Sequence, residues 1–400
     1  MLLENKSIAI VGGGPGGVTL AKLLQLKGAK VKLYERDFDR DARVQGGPLD
    51  MHEESGLAAL RAAGLIEQFG ANFLAGADRM QILDEHAQVL YSDHDEKRVE
   101  DFGSAYFRPE IDRTALRSIL LDSLEPGMVV WNHHFLFMEK QGTGWQLNFA
   151  NGKSAYADLV IGSDGANSKI RTYVTHSKPL YSGITMIEGN VYQSEKATPK
   201  VHALLKGGKI MAFGNEQDLL MGQKGGGDLG FYASFKADKD WHRHNGLDYT
   251  DNAAMLAWFK ANFLGWSSVW QELFEKASPP FIPRPINYMP LDQSWTPMSN
   301  VTLLGDAAHV MPPFAGEGAN MAMLDALELT ACLCSDEYSS MQEAIGAYEG
   351  VMLKRGAAAT QESLVNGERM HSKTALQDML EMFKQHPRED QTDTPTSSAS

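Results

Sequence analysis

The sequence predicts an α/β protein in which a mostly antiparallel sheet is inserted into a domain built on a parallel sheet, with a long helix near the C-terminal end. Three observations carry this prediction. A glycine-rich turn follows an apolar strand at 7–11. Two more short apolar strands, at 158–163 and 301–304, are each followed by an acidic residue and small residues. Between them, residues 180–290 alternate apolar and polar side chains, as in a sheet with one covered face.

The N-terminal segment has the pattern of a strand, a helix and a second strand. Ser7 to Val11 is a run of apolar residues typical of a buried parallel strand. From Val18 to Lys27 the apolar residues have helical spacing, and Gly28 follows as a helix C-cap. Lys30 to Tyr34 is the second strand. Two strands joined by a helix within about thirty residues form a βαβ unit.

The rest of the chain divides into segments of different pattern. Residues 112–123 have helical spacing, 129–149 have the pattern of a hairpin, and 318–384 are helical again. We predict a discontinuous nucleotide domain, an inserted sheet domain, a bridging helix and a disordered tail. Their ranges are 1–70, 100–175 and 295–340 for the nucleotide domain, 71–99 and 176–294 for the inserted domain, 341–385 for the helix and 386–400 for the tail.

The composition disfavours several classes of function. Lys and Arg number 37 against 51 Asp and Glu, a formal net charge of −14, which argues against nucleic acids and anionic lipids as partners. No uncharged apolar run reaches the length of a membrane span, and the acidic N-terminal residues do not match a signal peptide. Two cysteines are too few for a disulfide framework. We expect a cytoplasmic monomer.

Residues 12–17, Gly-Gly-Gly-Pro-Gly-Gly, match the pattern G-x-G-x-x-G with Gly12, Gly14 and Gly17 in its three positions. The first glycine allows a sharp turn, the second lets the backbone approach a pyrophosphate, and the third lets helix and strand pack closely. The N-terminus of the helix offers unpaired N–H groups to the phosphates. Glu35 ends the second strand near the spacing of a ribose-binding carboxylate. The unit is therefore a Rossmann-like dinucleotide site, beside which Arg36 either follows the adenosine or is a solvated surface residue.

This motif alone fits NAD and FAD equally well, and a second stretch, at 303–320, favours FAD. Its sequence is Leu-Leu-Gly-Asp-Ala-Ala-His-Val-Met-Pro-Pro-Phe-Ala-Gly-Glu-Gly-Ala-Asn. A strand ends at Asp306, a loop with two prolines follows, and a helix begins at the glycine-rich segment with Gly316 and Gly318. A carboxylate at a strand end can hold a ribityl hydroxyl, and free helix N–H groups can face the electron-rich edge of a flavin.

The same stretch resembles the GD motif of the class A flavoprotein monooxygenases, which have the para-hydroxybenzoate hydroxylase fold. Residues 157–168, Ala-Asp-Leu-Val-Ile-Gly-Ser-Asp-Gly-Ala-Asn-Ser, resemble the DG motif of that family, with Asp164 and Gly165 in the named positions. Arg113 stands where the family has an arginine that contacts the cofactor. Three motifs in the family's order, spread over about 300 residues, make the combination specific. The resemblance implies non-covalently bound FAD and an inserted substrate domain.

Three further stretches are similar to the tetracycline-inactivating flavin monooxygenases, namely 41–52, 108–113 and 311–316, and the likeness covers about residues 5–383. It implies that Arg43 meets the nicotinamide donor or the flavin. It also implies that Asp50, Arg113 and Asp306 contact FAD. The predicted cofactor-binding residues are Gly12, Gly14, Gly17, Glu35, Arg36, Arg43, Asp50, Arg113, Asp164, Asp306, Pro313, Gly316, Gly318 and Asn320.

At the substrate site the sequence departs from this family. The tetracycline enzymes contact the drug through a Gln, an Arg and a His of the middle sheet, and the matching positions here are Glu188, Lys209 and Gly230. Lys209 keeps the positive charge of the arginine but lacks its planar guanidinium group. Glu188 can only accept hydrogen bonds when it is ionised, and Gly230 has no side chain. These differences bear on tetracycline as the substrate and leave the reaction class unchanged. Asn366 and Met370 share one helix face, and Met370 is equally compatible with core packing. The predicted substrate-binding residues are Glu188, Lys209, Met221, Gly230, Pro313, Phe314, Gly316, Asn366 and Met370.

In this family the cofactor supplies the chemistry, so we predict no catalytic side chain and no metal site. The resemblance implies that NADPH or NADH reduces FAD and that a flavin C4a-hydroperoxide then transfers oxygen to an electron-rich ring carbon, while the protein positions the substrate and excludes water. We predict an FAD-dependent monooxygenase that uses O2 to hydroxylate a polycyclic phenolic or enolic compound similar to tetracycline, which would inactivate the antibiotic. The alternatives are hydroxylation of a simpler aromatic metabolite, flavin oxidoreduction without oxygen insertion, and FAD binding without turnover.

Overall fold

The structure is a computed structural model that describes residues 2–42, 47–96, 100–104 and 107–385. Arg43 and the predicted tail at 386–400 lie outside the described residues. The strands in chain order are β1 (Ser7–Val11), β2 (Lys30–Tyr34), β3 (Leu49–Asp50), β4 (Met80–Asp84), β5 (Val89–Ser92), β6 (Glu110–Ile111), β7 (Val129–Val130), β8 (Phe135–Gln141), β9 (Gly144–Phe149), β10 (Ser154–Ala157), β11 (Leu159–Gly162), β12 (Leu180–Val191), β13 (Lys209–Gly214), β14 (Gln217–Gln223), β15 (Leu229–Lys236), β16 (Ile282–Tyr288) and β17 (Val301–Leu303).

The α-helices connect these strands and cover both sheets. In chain order they are α1 (Pro15–Leu26), α2 (Ala58–Ala62), α3 (Ile66–Gly70), α4 (Arg113–Asp122), α5 (Arg171–Val174), α6 (Ser194–Ala197), α7 (Pro199–Leu205), α8 (Trp241–His244), α9 (Asn252–Asn262), α10 (Gln271–Lys276), α11 (Asp306–His309), α12 (Gly318–Cys334), α13 (Met341–Met370) and α14 (Ala375–Gln385). Among the described residues, none of these helices combines the length and the apolar composition needed to cross a lipid bilayer.

The first sheet has five parallel strands in the order β17-β11-β1-β2-β7. Its central strands are apolar and buried because helices and further strands cover them, and α1 packs against α12 on this domain. Parallel strands bring their carboxyl ends to one edge of the sheet. The segments after β1, β11 and β17 therefore meet there, as the three motifs predict.

The second sheet has seven strands in the order β16-β12-β15-β14-β13-β4-β5, antiparallel except for the β13–β4 pair. Its strands come from 80–92 and 180–288, which lie within the two segments predicted for the inserted domain. One face carries an apolar cluster with α9 and α10, including Phe231, Trp258 and Phe274. Side chains alternate between the two faces along each strand, so the residues between those of the cluster lie on the other face, which is directed toward the nucleotide domain. The sequence pattern did not indicate helices α6 to α10, because their apolar residues are embedded in strand-like alternation.

The structure has two helices in the segment 341–385, which corrects the prediction of a single bridging helix there. α13 ends at Met370, and α14 begins at Ala375 after a turn. In the turn, the Thr374 N–H donates to the Ser372 hydroxyl at 3.2 Å, and such side-chain bonds compete with helical ones. α14 folds back to pack on β4 and β13, where it buries Met379.

Candidate functional site

The glycine-rich turn after β1 has the geometry that a pyrophosphate site needs. Gly12 has φ +110°, and a Cβ there would lie 2.3 Å from the Ser163 carbonyl oxygen. A Cβ on Gly17 would lie 2.1 Å from the Gly12 oxygen. At Gly14, by contrast, an added Cβ meets no atom within 4 Å. The outer glycines are required by packing, whereas Gly14 borders open space at the N-terminus of α1, so this turn fits the pyrophosphate of FAD.

Glu35 lies at the end of β2 and is 2% exposed. One carboxylate oxygen accepts from the Gly13 N–H at 2.6 Å, and the other accepts from the Asp37 N–H at 3.0 Å. Arg36 next to it is exposed. The carboxylate is therefore held at the edge of the glycine turn, while its contact with a ribose and the role of Arg36 stay predictions.

The DG and GD segments are joined by an arginine that the motifs did not indicate. Asp164 accepts from the Ser168 hydroxyl and from the Lys169 N–H, which closes the turn after β11. Arg171 is 5% exposed and donates to the carbonyl oxygens of Asp306 and Ala307, each at 2.7 Å. This guanidinium fixes the backbone on which the predicted ribityl ligand Asp306 stands, and the Asp306 side chain itself is exposed at the sheet edge.

A buried carboxylate supports the same turn from below. Asp325 on α12 accepts from the Gly305 N–H at 2.8 Å, and its Oδ2 lies 2.6 Å from Nε2 of His309. Arg355 on α13 donates to the other oxygen at 2.6 Å. These bonds hold Gly305 at φ +58°. His309 therefore has a structural partner in Asp325.

Asp50, predicted to contact FAD, lies in an ionic cluster beneath the start of α12. His52 is 1% exposed, with Nε2 3.2 Å from Asp50 Oδ2 and Nδ1 3.2 Å from Glu317 Oε1. Burial opposes the charge, but these hydrogen bonds raise the pKa of His52 to about 9. Asn320 accepts from the His52 N–H at 3.0 Å and donates to the Asp50 carbonyl at 2.9 Å. Gly316 lies directly over the Asp50 carboxylate.

A second ion pair links the cofactor side to the inserted sheet. Lys209 on β13 pairs with Glu110 on β6, which is 1% exposed. Burial raises the pKa of Glu110 to about 7, against the opposing charge of Lys209. The positive charge of Lys209 also helps to lower the pKa of the predicted cofactor contact Asp50. Arg113, another predicted cofactor contact, donates from Nε to the Gly47 carbonyl at 2.9 Å.

Cross-strand register places three of the four predicted substrate residues of the inserted sheet on one face. Lys209 and Gly230 lie in one row through Gly222, and Glu188 lies in the next row opposite Tyr232. Met221 is an exception, which corrects its predicted substrate contact. Its side chain is 4% exposed and packs in the cluster with α9 and α10, because alternation turns it to the face opposite Gly222.

The face carries one more ion pair and an apolar patch. Glu188 is buried and bonds to Arg284 on the edge strand β16, whose side chain is 49% exposed. The Tyr232 hydroxyl is hydrogen-bonded to the Gly47 backbone. Burial, with the nearby Glu188 charge, raises the pKa of Tyr232. The apolar patch has a buried base of Ile184, Met186 and Ile286, on which the partly buried Leu220, Tyr232 and Phe314 pack.

A cleft of about 870 Å³ opens between the end of the inserted sheet that carries Ile184 and Lys236, the loop at 312–314 and α13. Its lining does not include Glu188, Lys209 or Gly230. Phe314 belongs both to the cleft lining and to the apolar patch. Asn366 on α13 donates to the Phe314 carbonyl at 3.3 Å. Met370, one turn further, is 3% exposed in a cluster with Ile82, which favours core packing for this residue. Pro313 is exposed on the loop.

Behind Phe314, a buried polar triad attaches the end of α13 to the sheet. His371 Nδ1 donates to the Gly367 carbonyl at 2.7 Å, so Nε2 carries the lone pair in the neutral ring. Nε2 lies 2.6 Å from the Ser234 hydroxyl and 3.2 Å from Asp218 Oδ2. Burial lowers the pKa of His371 to about 4 and raises that of Asp218. The triad therefore holds one shared proton.

Sequence reasoning missed several of these residues. Two of them left a signal, because His52 and Glu110 lie within the matched stretches 41–52 and 108–113. The residues without a local motif are Arg171, Asp218, Tyr232, Ser234, Arg284 and His371. They meet their partners through strand register and tertiary packing, which a single sequence does not specify.

Comparison with known proteins agrees with this geometry. The family model described as "FAD binding domain" matches residues 5–202 and 294–363. A monooxygenase, PenA of Penicillium thymicola, is 28% identical over 88% of this chain and 92% of its own length. The 3-amino-4-hydroxybenzoate 2-monooxygenase PtmB3 of Streptomyces platensis is 27% identical over 91% of this chain and 88% of its own.

Two solved structures share the fold over nearly the whole chain. Klebsiella pneumoniae HpxO in complex with FAD and uric acid is 21% identical with a TM-score of 0.74, covering 97% of this chain and 94% of its own. The tetracycline destructase Tet(55) is 18% identical with a TM-score of 0.74, covering 96% of each chain. The predicted FAD-dependent monooxygenase is thus confirmed at the level of family and fold. The chain belongs to the FAD binding domain family and has the fold of the class A FAD monooxygenases.

Proposed function

We propose that this protein is an NAD(P)H- and O2-using hydroxylase of a phenolic or enolic ring compound. The observation that carries the proposal is the junction of the two sheets. The glycine turn at Gly14 and the exposed Asp306 stand at the edge of the parallel sheet, across from a face with an apolar patch and acid–base side chains. FAD bound along this edge would supply the redox and oxygen chemistry.

The residues of the chain would then bind, orient and exclude water. Backbone N–H groups at the start of α1 would hold the pyrophosphate, and Asp306 and Asp50 would hold the rest of the cofactor. The apolar patch with Phe314 would cover the ring of the substrate and keep water from the reacting carbon. The neighbouring Tyr232 hydroxyl would orient a ring hydroxyl by a hydrogen bond.

A polycyclic substrate similar to tetracycline is one candidate, supported by the shared fold with Tet(55). A simpler aromatic ring is the second candidate. Tyr232 supports it, because its bulky side chain stands in the middle of the face, between Glu188 and Leu220. The second candidate also agrees with the aromatic substrate in the name of the Streptomyces relative.

The test is a turnover assay of the FAD-loaded protein with NADPH or NADH, O2 and a panel of tetracyclines and simple phenols. We expect at least one compound to stimulate NAD(P)H oxidation and to gain the mass of one oxygen atom. NAD(P)H oxidation that is stimulated by a compound and yields a reduced product with no added oxygen atom would instead indicate a non-oxygenating oxidoreductase. A protein that retains FAD and oxidises NAD(P)H with no compound of the panel would contradict the proposal.

A further inference from the structure

A buried histidine stands between two carboxylates at the start of α12. Nε2 of His52 lies 3.2 Å from Asp50 Oδ2, and Nδ1 lies 3.2 Å from Glu317 Oε1. A neutral imidazole has one N–H and one lone pair, so it could donate to only one of the two carboxylates. Because both ring nitrogens meet a carboxylate oxygen, the His52 ring is the doubly protonated imidazolium, in agreement with its raised pKa.

Glu317 occupies the N-cap position of α12, but its side chain makes no capping hydrogen bond. The side chain turns instead to His52, and its Oε2 is buried without a hydrogen-bond partner among the described residues. The N–H groups of the first turn of α12 therefore remain available to a ligand. A carboxylate with 18% of its side chain exposed stands directly beside them.

The other charged side chains around this trio belong to pairs of their own or act on Asp50. They are Arg61 with Glu53, Lys209 with Glu110, and Arg108, whose charge acts on Asp50 and His52. Among the described residues, His52 is the one cation within 4 Å of the Glu317 carboxylate. Removal of the His52 charge would therefore leave Glu317 without a cation at contact distance.

The start of α12 is also the place where the sequence predicts the electron-rich edge of the flavin. Reduction of FAD by NAD(P)H moves a hydride, which is two electrons and one proton, and leaves NAD(P)⁺ and a flavin with one additional negative charge. A carboxylate beside that edge makes the reduction less favourable, and a cation makes it more favourable. The charge balance of Glu317 and His52 thus bears on how readily the flavin accepts electrons.

We infer that His52 is a positioning residue that neutralises Glu317 at the start of α12, and that this pair sets the reduction potential of the bound FAD. The inference rests on the proposed function, since it concerns the cofactor of the same site. His52 raises the potential above the value that Glu317 alone would impose. Neither side chain has to touch the substrate or the reacting atoms.

The experiment measures the midpoint potential of the FAD-loaded protein at pH 7 by equilibration with a reference dye, without NAD(P)H and without substrate. Glu317→Gln removes one negative charge, while its amide oxygen can still accept from Nδ1 of His52. We expect an about tenfold shift of the equilibrium toward reduced flavin, which is a rise of about 30 mV for two electrons. Glu54→Gln removes an exposed carboxylate from the same segment and should leave the potential unchanged.

Two further variants identify the cation. His52→Asn keeps a donor that can reach Glu317 but loses the positive charge, so the potential should fall about as far as it rises in Glu317→Gln. In His52→Asn combined with Glu317→Gln, the net charge of the trio equals that of the wild type. The potential of this double variant should therefore lie closer to the wild type than that of either single variant. Glu317→Gln tests the pair even where His52→Asn does not fold.

A potential of Glu317→Gln equal to that of Glu54→Gln would overturn the inference, even if the variant unfolds more easily. A purely structural role at the start of α12 would change stability and not the potential. An unchanged or higher potential in His52→Asn would overturn it as well.

The proposed function fails differently, because these potentials are measured without turnover. A protein that shows the expected shifts of potential but never transfers oxygen to a compound would keep the pair of His52 and Glu317 and lose the hydroxylase assignment.

Discussion

Under the proposed function, the glycine turn of the parallel sheet and the face of the inserted sheet would recognise their ligands by different means. On the parallel sheet, the turn around Gly14 presents backbone N–H groups, and its glycines are there because a side chain would collide or block a ligand. On the inserted sheet, the groups proposed to meet the ligand are side chains such as Glu188 and Tyr232, set in rows by strand register. Binding at the first region would therefore depend on the local backbone geometry. Binding at the second would depend on which residues occupy positions that are far apart in the chain.

This difference teaches where change is tolerated. A backbone site loses its function when bulk is added at one glycine, whatever surrounds it. A face of side chains changes its preference gradually, because each residue adds or removes one contact. Perturbations of the glycine turn should thus act on cofactor occupancy, and those of the sheet face on substrate affinity.

The largest effect is expected for Gly14→Val. The structure has open space at this position, so the fold should survive, but the side chain would occupy the place of the pyrophosphate and weaken FAD binding by about a hundredfold or more. Flavin content after purification and the far-UV circular dichroism spectrum check this. Gly350→Val on α13, where an added Cβ also meets no atom, is the matched control. Normal flavin content in Gly14→Val would remove the turn from the cofactor site.

The second largest effect is expected when the triad of Asp218, Ser234 and His371 is disrupted. Asp218→Ala leaves His371 and Ser234 without their acidic partner in a fully buried site, and should lower the free energy of unfolding by about 2 kcal/mol. Urea unfolding measures this, with exposed Asp292→Ala as the control. Because the triad lies on the inserted sheet, FAD affinity should change far less than in Gly14→Val. A stability equal to that of the control would show that the triad contributes nothing.

The shared proton gives the triad a defined pH dependence. Folding raises the pKa of Asp218 and lowers that of His371 to about 4. Between pH about 4 and about 6.5, Asp218 is ionised and His371 is protonated in the unfolded chain. The folded and unfolded states then hold one proton each, so the contribution of the triad to the free energy of unfolding is constant. Above about pH 6.5 the unfolded chain loses that proton, and for as long as folded Asp218 keeps its own, the contribution falls by up to about 1.4 kcal/mol per pH unit.

Unfolding of the wild type and of Asp218→Asn combined with His371→Gln, from pH 4 to 9, checks this dependence. The difference in unfolding free energy should be level up to about pH 6.5 and should shrink above it. A difference that instead grows above that pH would contradict a neutral, singly protonated triad.

A smaller effect is expected for Asp306→Ala. Removal of the carboxylate costs one charge-assisted hydrogen bond to the ribityl chain, while Arg171 still holds the backbone of the turn, so FAD affinity should fall about tenfold in a folded protein. Titration of the apoprotein with FAD, followed by flavin fluorescence, measures it. Asp336→Ala at an exposed position serves as the control. Unchanged affinity would contradict the assignment of Asp306.

The smallest effect is expected for Tyr232→Phe. Loss of one neutral hydroxyl should raise the KM for the substrate about threefold without changing FAD affinity. Steady-state kinetics with the substrate found by the turnover assay check this, with exposed Tyr192→Phe as the control. A change in flavin binding of the same size would place the Tyr232 hydroxyl on the cofactor side of the cleft.

The same contrast explains what the sequence could predict. The βαβ unit and the strands before Asp164 and Asp306 follow from local patterns, because a glycine turn and an apolar strand leave their signal in adjacent residues. The alternation at 180–290 predicted the inserted sheet. It did not define which residues share a face, so Met221 was assigned to the substrate side although register turns it away.

Other features depended on contacts between distant segments. His371 ends α13 because its ring is bonded both within the helix and to Ser234 of the sheet, and no helix-stop signal marks that position. Arg284 and Glu188 are 96 residues apart in the chain. Their pairing is a consequence of β12 and β16 being neighbours, which only the folded structure reveals.

The return of α14 onto β4 has a consequence for how the protein is made. Ile82 of β4 and Met379 of α14 lie in one apolar cluster, so an early strand depends on a helix synthesised almost three hundred residues later. On the ribosome, the inserted sheet must wait with that apolar surface uncovered until the last helix emerges. Chaperone protection of nascent chains should therefore matter for this enzyme until residues 375–385 have left the exit tunnel.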